Sequence, residues 1–193
     1  MQLNFKNIAI LILVSGILNS CASSAVTVIN RDDGSVSLIS HEGNFSALMP
    51  EKPRRSVKKS ASKIGDLHNF IYTCMINKDN INYVFLISYV DYPANMIQST
   101  NSTLLIRNAV IGSMKRLGNP RLITEKAITI QNNPGHEAIF TGYQNITGKL
   151  VMAKERIYLV KNRMFILLMM TEATNSHNIA DKFFNSFQLT TNI

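Results

Sequence analysis

Two thiols, four imidazoles and one crowded run of bases are where this 193-residue sequence could do chemistry. Cys21 and Cys74 could in principle pair as a disulfide. To act as a nucleophile, Cys74 in "NFIYTCMIN" would need a histidine and a base brought to it by the fold; on its own it reads as a small buried hydrophobe. His41, His68, His136 and His177 never fall three or four residues apart, so no helix-borne metal pair exists. His136-Glu137, just after Pro134-Gly135, has the types for a ligand or an acid–base pair; the plainer reading is a strand that opens with polar groups at its solvated end. Glu155-Arg156 sits in a strand-like run, where adjacent side chains point to opposite faces, so the two do not form one site. No G-x-S-x-G, P-loop, dinucleotide fingerprint or close carboxylate pair is present. The expectation is a protein without catalytic residues, metal ligands or cofactor.

The bases are more informative. Net charge is +8, and six of the 20 Lys and Arg residues crowd into "KPRRSVKKSASK": Lys52, Arg54, Arg55, Lys58, Lys59 and Lys63. One reading is a solvated strand and loop. The other is a patch for anionic surfaces, with Arg54, Arg55, Lys58 and Lys59 as its candidate residues. Nucleic acid is a poor fit, because stacking on bases needs aromatics beside the charge and residues 51–66 contain none.

The elements that must position these residues begin with a segment that addresses the chain. "MQLNFKNIAILILVSGILNSC" has one positive charge, Lys6, then about a dozen apolar residues. That is the length of a signal-peptide core, short of the ~20 residues a membrane-spanning helix needs. Cleavage after Ser23-Ser24-Ala25 would suit an ordinary signal peptidase. Leu18-Asn19-Ser20-Cys21, by contrast, resembles the bacterial lipobox: an aliphatic residue at −3, a small one at −1 and a cysteine at +1, with Asn19 a mild departure. The resemblance implies that Cys21 takes diacylglycerol as a thioether and becomes the first mature residue, its sulfur then closed to Cys74. Such a residue carries two or three acyl chains, and these hold stably where one holds only marginally. The division expected is a signal peptide at 1–20, a lipidated short tether at 21–25 and a single domain at 26–193. Losing residues 1–20 removes only Lys6 and no acids, leaving +7. Ala22, not Asp, follows the cysteine, which places the protein on the outer membrane facing the periplasm if the cell is Gram-negative.

In the exported part, the β-branched "VTVIN", a turn at Asp33-Gly34 and "SVSLIS" predict a hairpin over 26–40, and "FSALMP" a strand closed by Pro50. "HNFIYTCMI" and "INYVFLISYVDYP" follow across "NKDN". Tyr83, Phe85, Ile87 and Tyr89 take one face of the second run and Val84, Leu86 and Val90 the other, as in a central strand covered on both sides. A helix is predicted over 100–120, with Ile106, Val110, Met114 and Leu117 on one stripe, a cap from Thr100, Asn101 or Ser102, and a stop at Gly118 and Pro120. Four further strands separated by "QNNPG", "NITG" and "KNR" make a meander, and a helix over 175–189 is to be pinned by Ile179, Phe183, Phe184 and Phe187. The class is α+β, one domain.

"FSALMPEKP", "YVDYP", "PGHEAIF", "RIYLVKNRMFILLM" and "KFFNSFQL" together resemble bacterial envelope proteins with the PsbP-like fold, over roughly residues 44–189. The resemblance implies an antiparallel β-sheet sandwiched by helices, and accessory or assembly roles in place of catalysis. The hairpin before residue 44 and the basic segment 52–63 lie outside that pattern. The function expected is a lipid-anchored envelope protein that binds or helps assemble a protein partner, with anionic lipid or polymer as a further possible contact. The alternative is a small-molecule carrier or sensor with an apolar pocket between sheet and helices, lined by Met152, Met169, Met170 or the phenylalanines. A fatty-acid probe should label the wild-type chain in cells and fail to label Cys21→Ala; equal labelling of both would overturn the lipid assignment.

Overall fold

A computed structural model describes residues 25–62, 65–172 and 178–190. The expected signal peptide, Cys21 and its tether up to Ser24, together with Lys63 and His177, lie outside the described residues. A seven-stranded antiparallel sheet forms the body, in the order β4-β5-β6-β10-β9-β8-β7, from strands β4 (Arg54–Ser62), β5 (Gly65–Lys78), β6 (Ile81–Asp91), β7 (Gly118–Ile130), β8 (Asn133–Tyr143), β9 (Leu150–Val160) and β10 (Arg163–Glu172). A second sheet of four strands, in the order β1-β2-β3-β11, comprises β1 (Val26–Asn30), β2 (Val36–Ser40), β3 (Phe45–Met49) and β11 (Gln188–Leu189). The helices are α1 (Ala94–Ser99), α2 (Ser102–Met114) and α3 (Asn178–Asn185).

Two-residue turns set the registers. Asp79-Asn80 and Gln131-Asn132 all have positive φ, the geometry whose twist suits a tight hairpin. The second corrects the sequence expectation: the turn is Gln131-Asn132 alone, with Ile130 facing Asn133, so Asn133-Pro134-Gly135 already belongs to β8. α2 is shorter than the predicted 100–120 helix; Asn101 caps it by accepting from the Leu104 N–H, and the chain becomes strand again at Gly118. α3 likewise stops at Asn185, freeing Gln188 and Leu189 to pair with β3.

The expected sheet with helices on both faces is corrected on one side. Along β6, Val84, Leu86 and Val90 face the side covered by α2, where Ile106 and Val110 pack on Ala138, Phe140, Ala153, Ile157, Leu159 and Met164. The other face, carrying Tyr83, Phe85, Ile87 and Tyr89, is covered mainly by the small sheet, with α3 alongside. The reason lies in β2 and β3, whose alternating patterns bury Val36, Leu38, Phe45, Ala47 and Met49 on one side and leave the other partly solvated. One such half-apolar sheet laid on another is a complete solution for burial, leaving a single short helix to fill the margin.

Phe45 is the joint. Its ring meets those of Tyr72, Tyr89 and Phe165 edge-on at centroid distances of 5.7, 6.1 and 6.0 Å, and that of Phe187 at 5.5 Å. Phe187 in turn stacks on Tyr158, and Phe183 of α3 meets Phe85 at 5.2 Å. Cys74 is buried in this core, and burial pushes its thiol up to about 12, so it serves as an inert small hydrophobe.

Two glycines separate close packing from open space. A Cβ on Gly135 would stand 2.4 Å from the Tyr158 ring and 2.6 Å from the Ile157 carbonyl oxygen, whereas one on Gly112 of α2 would meet nothing within 4 Å. Gly135→Ala should therefore destabilise the domain by about 1–3 kcal/mol. Gly112→Ala should stabilise it by about 0.5–1 kcal/mol, both read from denaturant midpoints.

Candidate docking surfaces and the polar clusters between them

The sheet has two distinct ends. At one, β6 finishes at Asp91 and β10 begins at Arg163, the two residues facing each other. Arg163 grips Asp91 with two bonds of 2.6 and 2.7 Å and donates to the Glu42 carbonyl at 2.9 Å. Glu42 accepts from Arg55 at 2.9 Å. Between the two arginines runs a stack: Arg55 over Phe70 (5.5 Å), Phe70 on Tyr89 (4.7 Å), Tyr89 under Arg163 (4.6 Å). Tyr72 and Ser40 share a buried hydroxyl–hydroxyl bond of 3.1 Å in the same corner. The chain enters here as well, since the His41 N–H donates to the Ala25 carbonyl.

The predicted basic quartet is divided by strand geometry. β4 is the edge strand, and its side chains alternate: Arg55 and Lys59 lie on the small-sheet side, Arg54 and Lys58 on the side of α2. Arg55 is held by Glu42, and Lys59 pairs with Asp66 at 2.7 Å. Arg54 and Lys58 are exposed and make no ion pair among the described residues. The four bases thus share one edge strand but divide between its two faces and do not form one patch.

At the opposite end, Tyr143 and Leu150 face each other directly across β8 and β9, with Ile146 in the turn that joins them. All three are solvated, at 45%, 45% and 51% exposure. Leu122 and Ile123 are also exposed on the neighbouring edge strand β7, but Leu122 pairs with Phe140 and so lies on the α2 face, opposite Tyr143 and Leu150. Register irregularities between Gly118 and Arg121 and between Leu122 and Thr124 kink that edge, leaving Glu125–Ile130 as its straight stretch. Sequence reading missed this surface because alternation shows which residues share a face, not which faces remain uncovered.

Between the ends, charged side chains build structure. His136-Glu137 is not a solvated strand opening, as the sequence suggested, but two separate contacts on opposite faces. His136 Nε2 lies 2.8 Å from Glu125 Oε1, which also reaches Arg107 of α2 at 3.6 Å. Glu137 is buried between β7 and β9, directly opposite Lys126 and Arg156. Its oxygens lie 2.6 Å from Arg156 Nε, 3.0 Å from Lys126 Nζ and 3.9 Å from Lys154 Nζ. Burial opposes the charged form of Glu137, but hydrogen bonds from Arg156 and Lys126 and the charge of Lys154 outweigh it, holding the carboxyl below its ordinary value. Arg156 also donates to the Phe184 carbonyl and Asn185 Oδ1, closing the end of α3, and Lys154 pairs with Asp181 at 3.1 Å. Among the described residues no group of three His, Cys, Asp or Glu side chains is placed to hold a metal.

Glu155 is different in kind. It is fully buried on the α2 face, and neither carboxyl oxygen has a hydrogen-bond partner among the described residues. Burial, opposed only weakly by Ser113 and Arg116, pushes it up to about 8. The folded state therefore prefers the protonated acid, and its stabilising effect is complete below the ordinary value of 4.5 and lost as pH rises through about 8. Stability should fall by a few kcal/mol between pH 5 and pH 9. Glu155→Gln should flatten that dependence in urea titrations; an unchanged slope would refute the assignment. Glu137, whose shift is downward, contributes in the opposite sense and only below that window.

No protein-family model matches this chain, and no curated protein matches it in sequence. Among solved structures it is similar to the cyanobacterial PsbP (CyanoP) of Synechocystis sp. PCC 6803, with 12% identity over 90% of this chain and 98% of that one and a TM-score of 0.45. It is similar also to LpqN, involved in cell envelope biogenesis of Mycobacterium tuberculosis, with 14% identity, 86% and 91% coverage and a TM-score of 0.45. The Ran-binding protein Mog1p of Saccharomyces cerevisiae shows 4% identity, 85% and 95% coverage and the same TM-score, 0.45. At these values the likeness assigns neither family nor role.

Proposed function

We propose that this chain is a lipid-anchored, non-enzymatic protein of the bacterial cell envelope whose PsbP-like domain binds, or helps assemble, a protein partner at the membrane surface. Cys21 is the lipid acceptor, and the three residues between it and Ala25 hold the domain close to the bilayer. The observation that carries the partner reading is the solvated trio Tyr143, Ile146 and Leu150 beside the open edge of β7, at the end of the sheet away from Ala25. An aromatic and two aliphatic side chains clustered on one turn suit the centre of a protein interface. The straight part of β7 offers backbone groups to an added strand.

The carrier alternative needs an apolar cavity, and the proposed lining does not supply one. Met152 and Met169 are buried in packing, and the depression bordered by Val84, Val151 and Met170 holds about 10 Å³, room for one water at most. The packed core therefore favours the partner reading.

A photoreactive side chain placed at 143 or 150 in the native envelope should give a discrete crosslinked species, lost with Ile146→Glu. The same probe at residue 112, on the outer side of α2, should give none. Equal crosslinking from both positions, or none from the trio, would overturn the proposal.

A further inference from the structure

The small sheet turns one face to the core and the other to solvent. Val26, Val28, Leu38 and Ala47 point inward against the large sheet, so Thr27, Ile39 and Ser46 form one outward row and Ile29, Ser37 and Leu48 the next. Ile29 is 51% exposed, and Ile39 and Leu48 are half-buried without belonging to either core cluster. Gln188, facing Ser46 from β11, completes a surface on which no outward strand residue is charged. Charges stand at its ends, with Arg31 and Asp32 in one turn and Glu42 in the other. In a chain of net charge +8, whose edge strand β4 alone carries four bases, such a face is an exception.

We propose that this uncharged face lies on the lipid bilayer, with Ile29, Ile39 and Leu48 at the boundary between headgroups and acyl chains. This orientation rests on the lipid-anchor reading above and adds to it. The position of the anchor selects the occupant. β1, which holds Thr27 and Ile29, follows directly on Ala25, and the four Cα steps from Cys21 to Ala25 reach at most ~14 Å. Four strands spaced ~4.8 Å apart make the small sheet about as wide as that reach. A lipidated Cys21 therefore holds a surface beside β1 against the membrane, and two surfaces qualify. The entry corner presents the ion pairs of Arg55 with Glu42 and Arg163 with Asp91, charges that would lose water on entering the interface. The outer face brings only hydroxyls, an amide and aliphatic groups; the aliphatic groups enter the boundary region while the hydroxyls stay hydrated among the headgroups. A second copy would have to find this face by diffusion. The tether instead presents it to lipid at high effective concentration, so a small apolar area suffices.

The chain has no tryptophan, so one placed in it reports on its own surroundings alone. The test uses protein purified from membranes in detergent and returned to neutral phosphatidylcholine vesicles whose acyl chains carry bromine, a quencher of tryptophan. Ser37→Trp should be quenched and its emission shifted to the blue. Gly112→Trp, on α2 at the far side of the large sheet, should keep the intensity it has in unbrominated lipid. Quenching of Ser37→Trp should persist at about 0.5 M salt, because no charge makes the contact, and should be lost when Ile29→Glu is added. Ile29→Trp, at an exposed position, reads the same face if Ser37→Trp folds poorly. Absence of quenching at both positions in vesicle-bound chain overturns the proposal. So does a blue shift at Ser37→Trp that grows with protein concentration without vesicles, which gives the face to a second copy. Failure of the anchor reading is seen separately, as a chain that does not float with neutral vesicles. The chain from Cys21 onward is then coupled through that thiol to a maleimide-bearing lipid, Cys74 being too buried to react, and the same two probes decide for or against the face.

Discussion

The domain depends on the contact of Phe45 with the face of the large sheet. Neither sheet can exist alone in water: the small one buries only one side of two short strands, and the large one presents Tyr72, Phe85, Ile87, Tyr89, Phe165 and Leu167 in a continuous apolar area. The ring of Phe45 lies among side chains from β5, β6 and β10 and from the segment after α3, so one residue ties four elements. Edge-to-face packing gives those contacts direction as well as area, setting how the sheets lie on each other.

Charge is used in three ways. Inside the domain it is spent on construction: Glu137 collects Lys126, Lys154 and Arg156 and through them secures α3, while Arg163 and Arg55 bracket the Phe70–Tyr89 stack and hold the chain-entry corner. Outside it, Arg54 and Lys58 on β4 remain in solvent with no ion pair among the described residues. Glu155 follows neither pattern. A carboxyl set among Ala153, Ile157 and α2 is tolerated because it is neutral over most of the working pH range, so its cost is that of a buried polar group in place of a buried ion.

Much of the strand plan was legible from sequence because period-two alternation is written directly into residues such as those of β6, where both faces are apolar, and β3, where one is. Helix α2 was legible from the stripe holding Ile106 and Val110, though its ends were not: local contacts after Met114 and the demand of β7 for pairing partners decide them. The small sheet's place over the large one was not legible, since Val36 and Phe45 show that a face will be buried without showing against what. The same limit hid the Glu137 cluster, whose members come from β7, β8, β9 and α3 and meet only through register. The basic strand was visible as composition, but its division between two faces follows from pairing with β5.

The closing of the core by Phe183, Phe184, Phe187 and β11 has a consequence for how the molecule comes into being. Phe45 waits for a ring 142 residues away in sequence, and β3 gains its outer neighbour from the same late segment. Contacts of such separation are slow to form and cannot form at all while the chain is still being made or threaded. The chain therefore stays in an open, unlocked condition until nearly all of it has emerged. On the export reading proposed above, that delay is a favourable property: the last aromatic segment to arrive serves as the latch, and a chain threaded through a membrane need not first undo a finished core.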